Sequence, residues 1–163
     1  MRDIPLRILI ERLEDLITAQ QKLASLILIV EGQWVKLSIP TTIDMLYAHM
    51  EMLELVSEVI SSLQDISDSY TREYAVMLTA EALSWTGFML PYLEASSPIF
   101  IEHLRVDSQP VVSKIKSIVS FIERFGTQVD LLSSDEIIKT INIISKAIRY
   151  QLFMAKKAYE AMA

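Results

Sequence analysis

Residues 74–93 read YAVMLTAEALSWTGFMLPYL, and the only charge among them is Glu81. Length alone admits a membrane span. A carboxylate in mid-segment, the interruptions at Gly87 and Pro91 and the lack of a flanking basic cluster argue against one. The stretch reads instead as the central helix of a bundle, apolar on every side because other helices surround it. Ala80, Ser84 and Gly87 would let a neighbour approach closely, and Pro91 is expected to kink or end the helix.

Helical patterns extend outward in both directions. On the N-terminal side, residues 3–31 form an amphipathic stretch with Ile10, Leu13, Ile17 and Ala24 near one seam and Gly32 as its stop. Residues 32–40 read as a connector. A second helix is expected from Thr41 or Thr42 to about Gln64, with Ile43, Leu46, Met50, Leu53, Ile60 and Leu63 as its seam. Beyond residue 93, Ser96-Ser97-Pro98 opens a short helical turn to about Leu104. A fourth helix runs from Pro110 to Phe125 on Val112, Ile115, Ile118, Val119 and Ile122. The last starts near Ser134 and runs to the end, with Asp135 and Glu136 in its first turn and Lys156 and Lys157 near its end, as the helix dipole favours. Short connectors imply mostly antiparallel neighbours. The expected fold is all-α, a bundle of about five major helices forming a single domain over residues 1–163.

Composition agrees. Three glycines and five prolines in 163 residues are too few turn residues for a sheet protein of this size. The absence of cysteine excludes disulfides, thiolate metal sites and cysteine nucleophiles, and fits a reducing compartment. The opening Arg2-Asp3 and Pro5 leave no clean apolar run before a cleavage site, so a cytoplasmic protein is expected. Hydrophobic residues make up 52% of the chain and mean hydropathy is +0.34, more apolar than a small bundle needs for its own core, which suggests a buried subunit contact. The net charge of −6 opposes non-specific binding to a phosphate backbone.

The charges are unevenly spread. Residues 37–101 hold nine acids and one base, Arg72, whereas residues 102–163 hold nine bases and seven acids. In the second helix Asp44, Glu51, Glu58 and Asp65 recur every seven residues, with Glu54 between, and form an acidic ridge. In the last helix Lys139 and Lys146, then Arg149 and Lys156, repeat the same interval as a basic stripe. Ridge and stripe point to two helices that are neighbours or meet across a subunit contact, and Lys146→Glu is expected to weaken assembly.

Catalytic vocabulary is missing. There is no Glu-x-x-His pair of the kind that builds di-metal bundles, no calcium loop, no Gly-x-Ser-x-Gly elbow and no phosphate loop. No metal or other cofactor is expected. His49 and His103 read as surface or partly buried residues without a catalytic role. Glu81 is the odd residue, because a carboxylate in an apolar helix must be paired, hydrogen-bonded or protonated. It is a candidate buried polar anchor. The leading expectation is a non-enzymatic interaction or scaffold subunit that assembles with itself or a larger complex. One alternative is a nucleic-acid-associated subunit using Lys114, Lys116, Arg124, Lys139, Lys146 and Arg149. Another is a ligand-binding bundle with a pocket around Trp85, Phe88 and Glu81.

Overall fold

The structure is a computed structural model that describes residues 5–28, 38–96, 109–125 and 131–162. The described residues form five α-helices and no strand: α1 (Leu6–Leu28), α2 (Ile39–Ser62), α3 (Ser69–Ser96), α4 (Gln109–Phe125) and α5 (Leu131–Met162), with a 3-10 turn at Leu63–Asp65. The chain is therefore an all-α helical bundle. The expected stop at Gly32, the body of the first connector, the turn at 98–104, Gly126 and His103 lie outside the described residues.

Two helix starts fall earlier than their sequence signals suggested. α2 begins at Ile39 because Ser38 is its N-cap, its hydroxyl accepting from the Thr41 amide at 3.2 Å. Pro40 is tolerated there because the first turn has no partner for its amide anyway. α5 begins at Leu131, three residues before the serine read as its start. Between α2 and α3 the Asp68 carboxylate caps α3 by accepting from the Thr71 hydroxyl and, at 3.1 Å, from the Thr71 amide; the hydroxyl bond first and the amide bond second hold its pKa below the usual carboxylate range. Arg72, the one base of the acidic region, donates to the Leu63 carbonyl at 2.6 Å and so satisfies the C-terminal end of α2.

Pro91 neither ends nor bounds α3, which continues to Ser96. A proline ring presses on the carbonyl four residues back. Here that residue is Gly87, whose lack of a side chain leaves the backbone freest to adjust. The same glycine lets α4 close in, since a Cβ on it would stand 3.2 Å from Ile115 Cγ2.

The helices share one core. α2 and α3 lie at its centre: α2 packs on α5, α1 and α3, and α3 on α4, α2 and α1. Leu13, Leu46, Met52, Leu53, Ile60, Leu83, Leu90 and Ile115 are among its buried members. Contacts fix the directions. Glu14–Tyr74 and Gln21–Glu81 are both separated by the same sixty positions, so α1 and α3 run parallel. His49–Thr86 and Leu63–Arg72 show α2 antiparallel to α3. Lys156 near the end of α5 lies over Tyr47 near the start of α2. The earlier buried residues Ile137, Ile141, Ile144 and Ile148 can be covered by α2 only if α5 runs antiparallel to it.

α5 buries a narrow seam of Ile137, Ile141, Ile144, Ile148, Gln151 and Ala155, with Leu152 beside it. The alternating steps of four and three are those of a coiled-coil seam, which covers one partner and leaves the rest of the helix in solvent. Among the described residues no helix is long and apolar enough to cross a membrane.

Candidate functional site

Two constellations stand out, one inside the bundle and one on its surface. The inner one is centred on His49, whose side chain is wholly buried rather than at the surface. It occupies the seam of α2, three positions after Leu46 and four before Leu53. Its Nε2 lies 3.0 Å from Gln20 Oε1 on α1, and its Nδ1 lies 2.9 Å from Thr86 Oγ1 on α3. An amide oxygen can only accept, so Nε2 carries the ring proton and Nδ1 accepts from the Thr86 hydroxyl. The Ala82 carbonyl, the other acceptor for that hydroxyl, is farther away at 3.4 Å. Burial depresses the histidine pKa to about 4, so the ring is neutral at physiological pH. With both nitrogens engaged and no exposed surface, the imidazole cannot meet a substrate. It joins three helices.

Gln20 also borders a cleft formed with Leu23, Ala24, Met45, Trp85, Phe88, Met89 and Tyr92. Trp85 meets Phe88 edge-on at 6.0 Å, and Phe88 stacks on Tyr92 at 6.2 Å. The rings fill the space, and what remains is about the size of a water molecule. Glu81 does not line this cleft. It is half-buried where α1 meets α3, and Gln21 Nε2 donates to its Oε1 at 2.9 Å. The expectation of a buried anchor is corrected accordingly, because the parallel α1 brings a polar edge alongside α3. Tyr74 belongs to the same edge. Partial desolvation, the Glu14 carboxylate it donates to and nearby Glu81 push its phenol pKa up.

The outer constellation contains the charged residues singled out by spacing. Asp44, Glu51 and Glu54 are exposed on α2, Asp65 is exposed in the 3-10 turn that follows it, and Glu58 is half-buried. Each of Asp44, Tyr47, Glu51, Glu54, Glu58, Ser61 and Asp65 stands two residues after a buried one, roughly opposite the core-facing side. Lys139, Lys146, Arg149 and Lys156 are exposed on α5. Ridge and stripe thus lie on neighbouring helices. Yet none of Asp44, Glu51, Glu54, Asp65, Lys139, Lys146 and Arg149 forms an ion pair with another described residue. Lys156 instead sits over the Tyr47 ring at 4.5 Å, and Lys157 over Phe153 at 5.2 Å.

Charge spacing did not reveal the apolar residues of this surface. Ile143 is 47% exposed, Tyr150 57% and Phe153 56%, and all three lie among the lysines. Lys139, Ile143, Lys146, Tyr150, Phe153 and Lys157 form a second seam on α5, again in steps of four and three. Lys146, Tyr150, Phe153 and Lys157 each follow a buried seam residue by two positions, about 200° around the helix, so this face points away from α2. Among the described residues no group of three or more His, Asp or Glu is placed to hold a metal ion.

A protein-family model described as "Uncharacterized protein" matches residues 6–162. The chain is also 29% identical to an "Uncharacterized protein" of Aquifex aeolicus (strain VF5), aligned over 160 residues that cover 98% of each chain. No solved structure matches it.

Proposed function

We propose that this chain, which belongs to the family matched over residues 6–162, is a non-catalytic helical interaction subunit that assembles with itself or with a larger complex. The observation that carries this reading is the outer face of α5. Ile143, Tyr150 and Phe153 stand in solvent along one seam, framed by lysines. Aromatic residues are enriched in interface cores and polar side chains at their rims, and exposed apolar residues rimmed by polar ones mark interaction surfaces. The sealed, fully bonded His49 supports a structural role over catalysis. The absence of cysteine supports a cytoplasmic setting.

The test is to purify the tagged full-length chain at low salt from cells that make it naturally. Wild type is expected to elute well above its monomer mass of 18.6 kDa, and a Tyr150→Asp/Phe153→Asp variant at that mass. A wild-type chain that elutes as a monomer from the extract overturns the reading.

One observation favours a second reading, binding to a phosphate backbone. Lys116, Ser117, Ser120, Phe121 and Arg124 line an open groove of about 450 Å³ on α4, and Lys114, Lys139, Lys146 and Arg149 are also exposed. This reading requires affinity for nucleic acid that falls steeply between 50 and 200 mM salt, on the order of a hundredfold or more if several phosphates are contacted. Salt-independent or absent binding removes it.

A further inference from the structure

We propose that the outer face of α5 docks a second copy of this chain, and that it receives the acidic ridge of that copy's α2. This rests on the interaction reading above and names its partner. The two surfaces match in form. The face comprises Lys139, Ile143, Lys146, Tyr150, Phe153 and Lys157; the ridge comprises Asp44, Tyr47, Glu51, Glu54, Glu58, Ser61 and Asp65. Both follow alternating three- and four-residue steps, the spacing by which two helices interlock, and both extend about 30 Å.

They also match in charge. The ridge carries only acids and the face only bases, and the ridge helix has no base of its own to offset its repulsion. Among the described residues, Asp44, Glu51, Glu54 and Asp65 on one side, and Lys139 and Lys146 on the other, form no ion pair. Geometry prevents the face from finding the ridge in the same molecule. Lys146 and Tyr150 lie about 200° from the seam that α5 turns to α2, so they point away from the helix that bears the ridge. Only another copy can bring a ridge to them. The chemistry of the contact is already present at the flank, where Lys156 of α5 rests on Tyr47 of α2 at 4.5 Å. Tyr47 is the apolar member of the ridge, so the charges draw the copies together, select the ridge and set its orientation, and Ile143, Tyr150 and Phe153 are covered as the contact closes. Face and ridge are different surfaces of one chain, so the contact closes into a ring or continues as an open chain.

The experiment is a charge exchange on the full-length protein, read by light scattering at low and high salt. Lys139→Glu/Lys146→Glu reverses the face, and Glu51→Lys/Glu54→Lys reverses the ridge. All four positions are exposed, and circular dichroism checks that each variant keeps its helices. Wild type is expected to exceed 18.6 kDa and to lose mass at high salt, and each variant alone to be a monomer. An equimolar mixture should recover the wild-type mass, because the acidic face of one variant meets the basic ridge of the other and the two unaltered surfaces also meet. Wild type that stays monomeric at low salt overturns the proposal. So does an oligomer indifferent to both variants, or a mixture that does not recover. If purified wild type is monomeric while the complex that depends on Tyr150 and Phe153 persists in the extract, this inference fails and the broader reading stands. If the chain is monomeric in both settings, both fail.

Discussion

Replacing His49 by glutamine should flatten the acid limb of the stability profile. Unfolded, the imidazole takes up a proton near pH 6.5; folded, burial holds that step down to about 4. Between those values the unfolded chain holds more protons, so stability rises with pH through the window. The contribution is fully present above pH 6.5 and is lost as pH falls through 4. The full gap corresponds to about 3 kcal/mol, and a descent from pH 7 to 4.5 crosses about 2 kcal/mol of it. Asp68, whose carboxylate is held down by its bonds from Thr71, also favours folding above its own pKa, but it does so in both proteins and cancels in the comparison. Urea unfolding at the two pH values gives the difference directly, with wild type losing about 2 kcal/mol more than His49→Gln. The chain has only two histidines, so the variant also assigns the two imidazole signals in a proton spectrum. Equal losses in the two proteins, or a His49 signal titrating near 6.5, would refute the buried neutral imidazole.

Four further substitutions probe the packing. Gln151 is buried with its Oε1 unpartnered, so Gln151→Leu should stabilise the chain by about 1–3 kcal/mol and raise the melting temperature. Thr86→Val leaves His49 Nδ1 without a donor in the core and should cost about 1–3 kcal/mol in urea unfolding. Pro91→Ala restores a helical amide within α3 and should stabilise by about 1 kcal/mol or more, seen as a higher thermal midpoint. Ser38→Ala removes the cap of α2 and should cost about 1 kcal/mol, measured in the same way.

Much of the fold was legible because hydrophobic spacing reports burial. Ile10, Leu13, Ile17 and Ala24 on α1, Leu46, Leu53 and Ile60 on α2 and Leu63 in the turn after it are buried as their spacing predicts, while Ile43 and Met50 of the same predicted seam are half-buried. The spacing was less informative where a helix has several neighbours. α2 also buries Met45, Met52, Leu55, Val56 and Val59, since α1, α3 and α5 surround most of it and a single seam understates its buried sides. Prolines set neither helix boundary. Pro40 lies inside the first turn of α2 rather than in the connector before it, and of the two outcomes expected at Pro91, a kink or an end, α3 does not end there, since a first-turn position in one case and Gly87 four residues back in the other are compatible with helix.

The charged ridge and stripe were visible as seven-residue repeats because exposed charges need no tertiary partner to show a period. The aromatic members of the α5 face were hidden, since Ile143, Tyr150 and Phe153 look in sequence like core residues. Only the structure shows that the seam through Ile144 and Ile148 had already satisfied α2. The polar trio of Gln20, His49 and Thr86 was hidden because its members come from three helices. The one available signal was that His49 stands on the seam between Leu46 and Leu53.

That trio connects the interior to the surface. A seam of leucines and isoleucines tolerates a slip of one helical turn, about 5.4 Å, with much of its apolar contact intact. Two directional bonds from one imidazole do not, because a slip of α1 or α3 would strand a buried nitrogen beside apolar side chains. The histidine thereby fixes the register of α2 against both central neighbours, with no need of proton transfer. The register of α2 in turn fixes which of its residues face outward. Glu51 and Glu58 each lie two positions past a residue packed into the core, so the same register that puts His49 between Gln20 and Thr86 turns the acidic ridge to solvent. An interface built on evenly spaced charges depends on such alignment, since a rotated helix would present alternate acids to the core and scatter the rest.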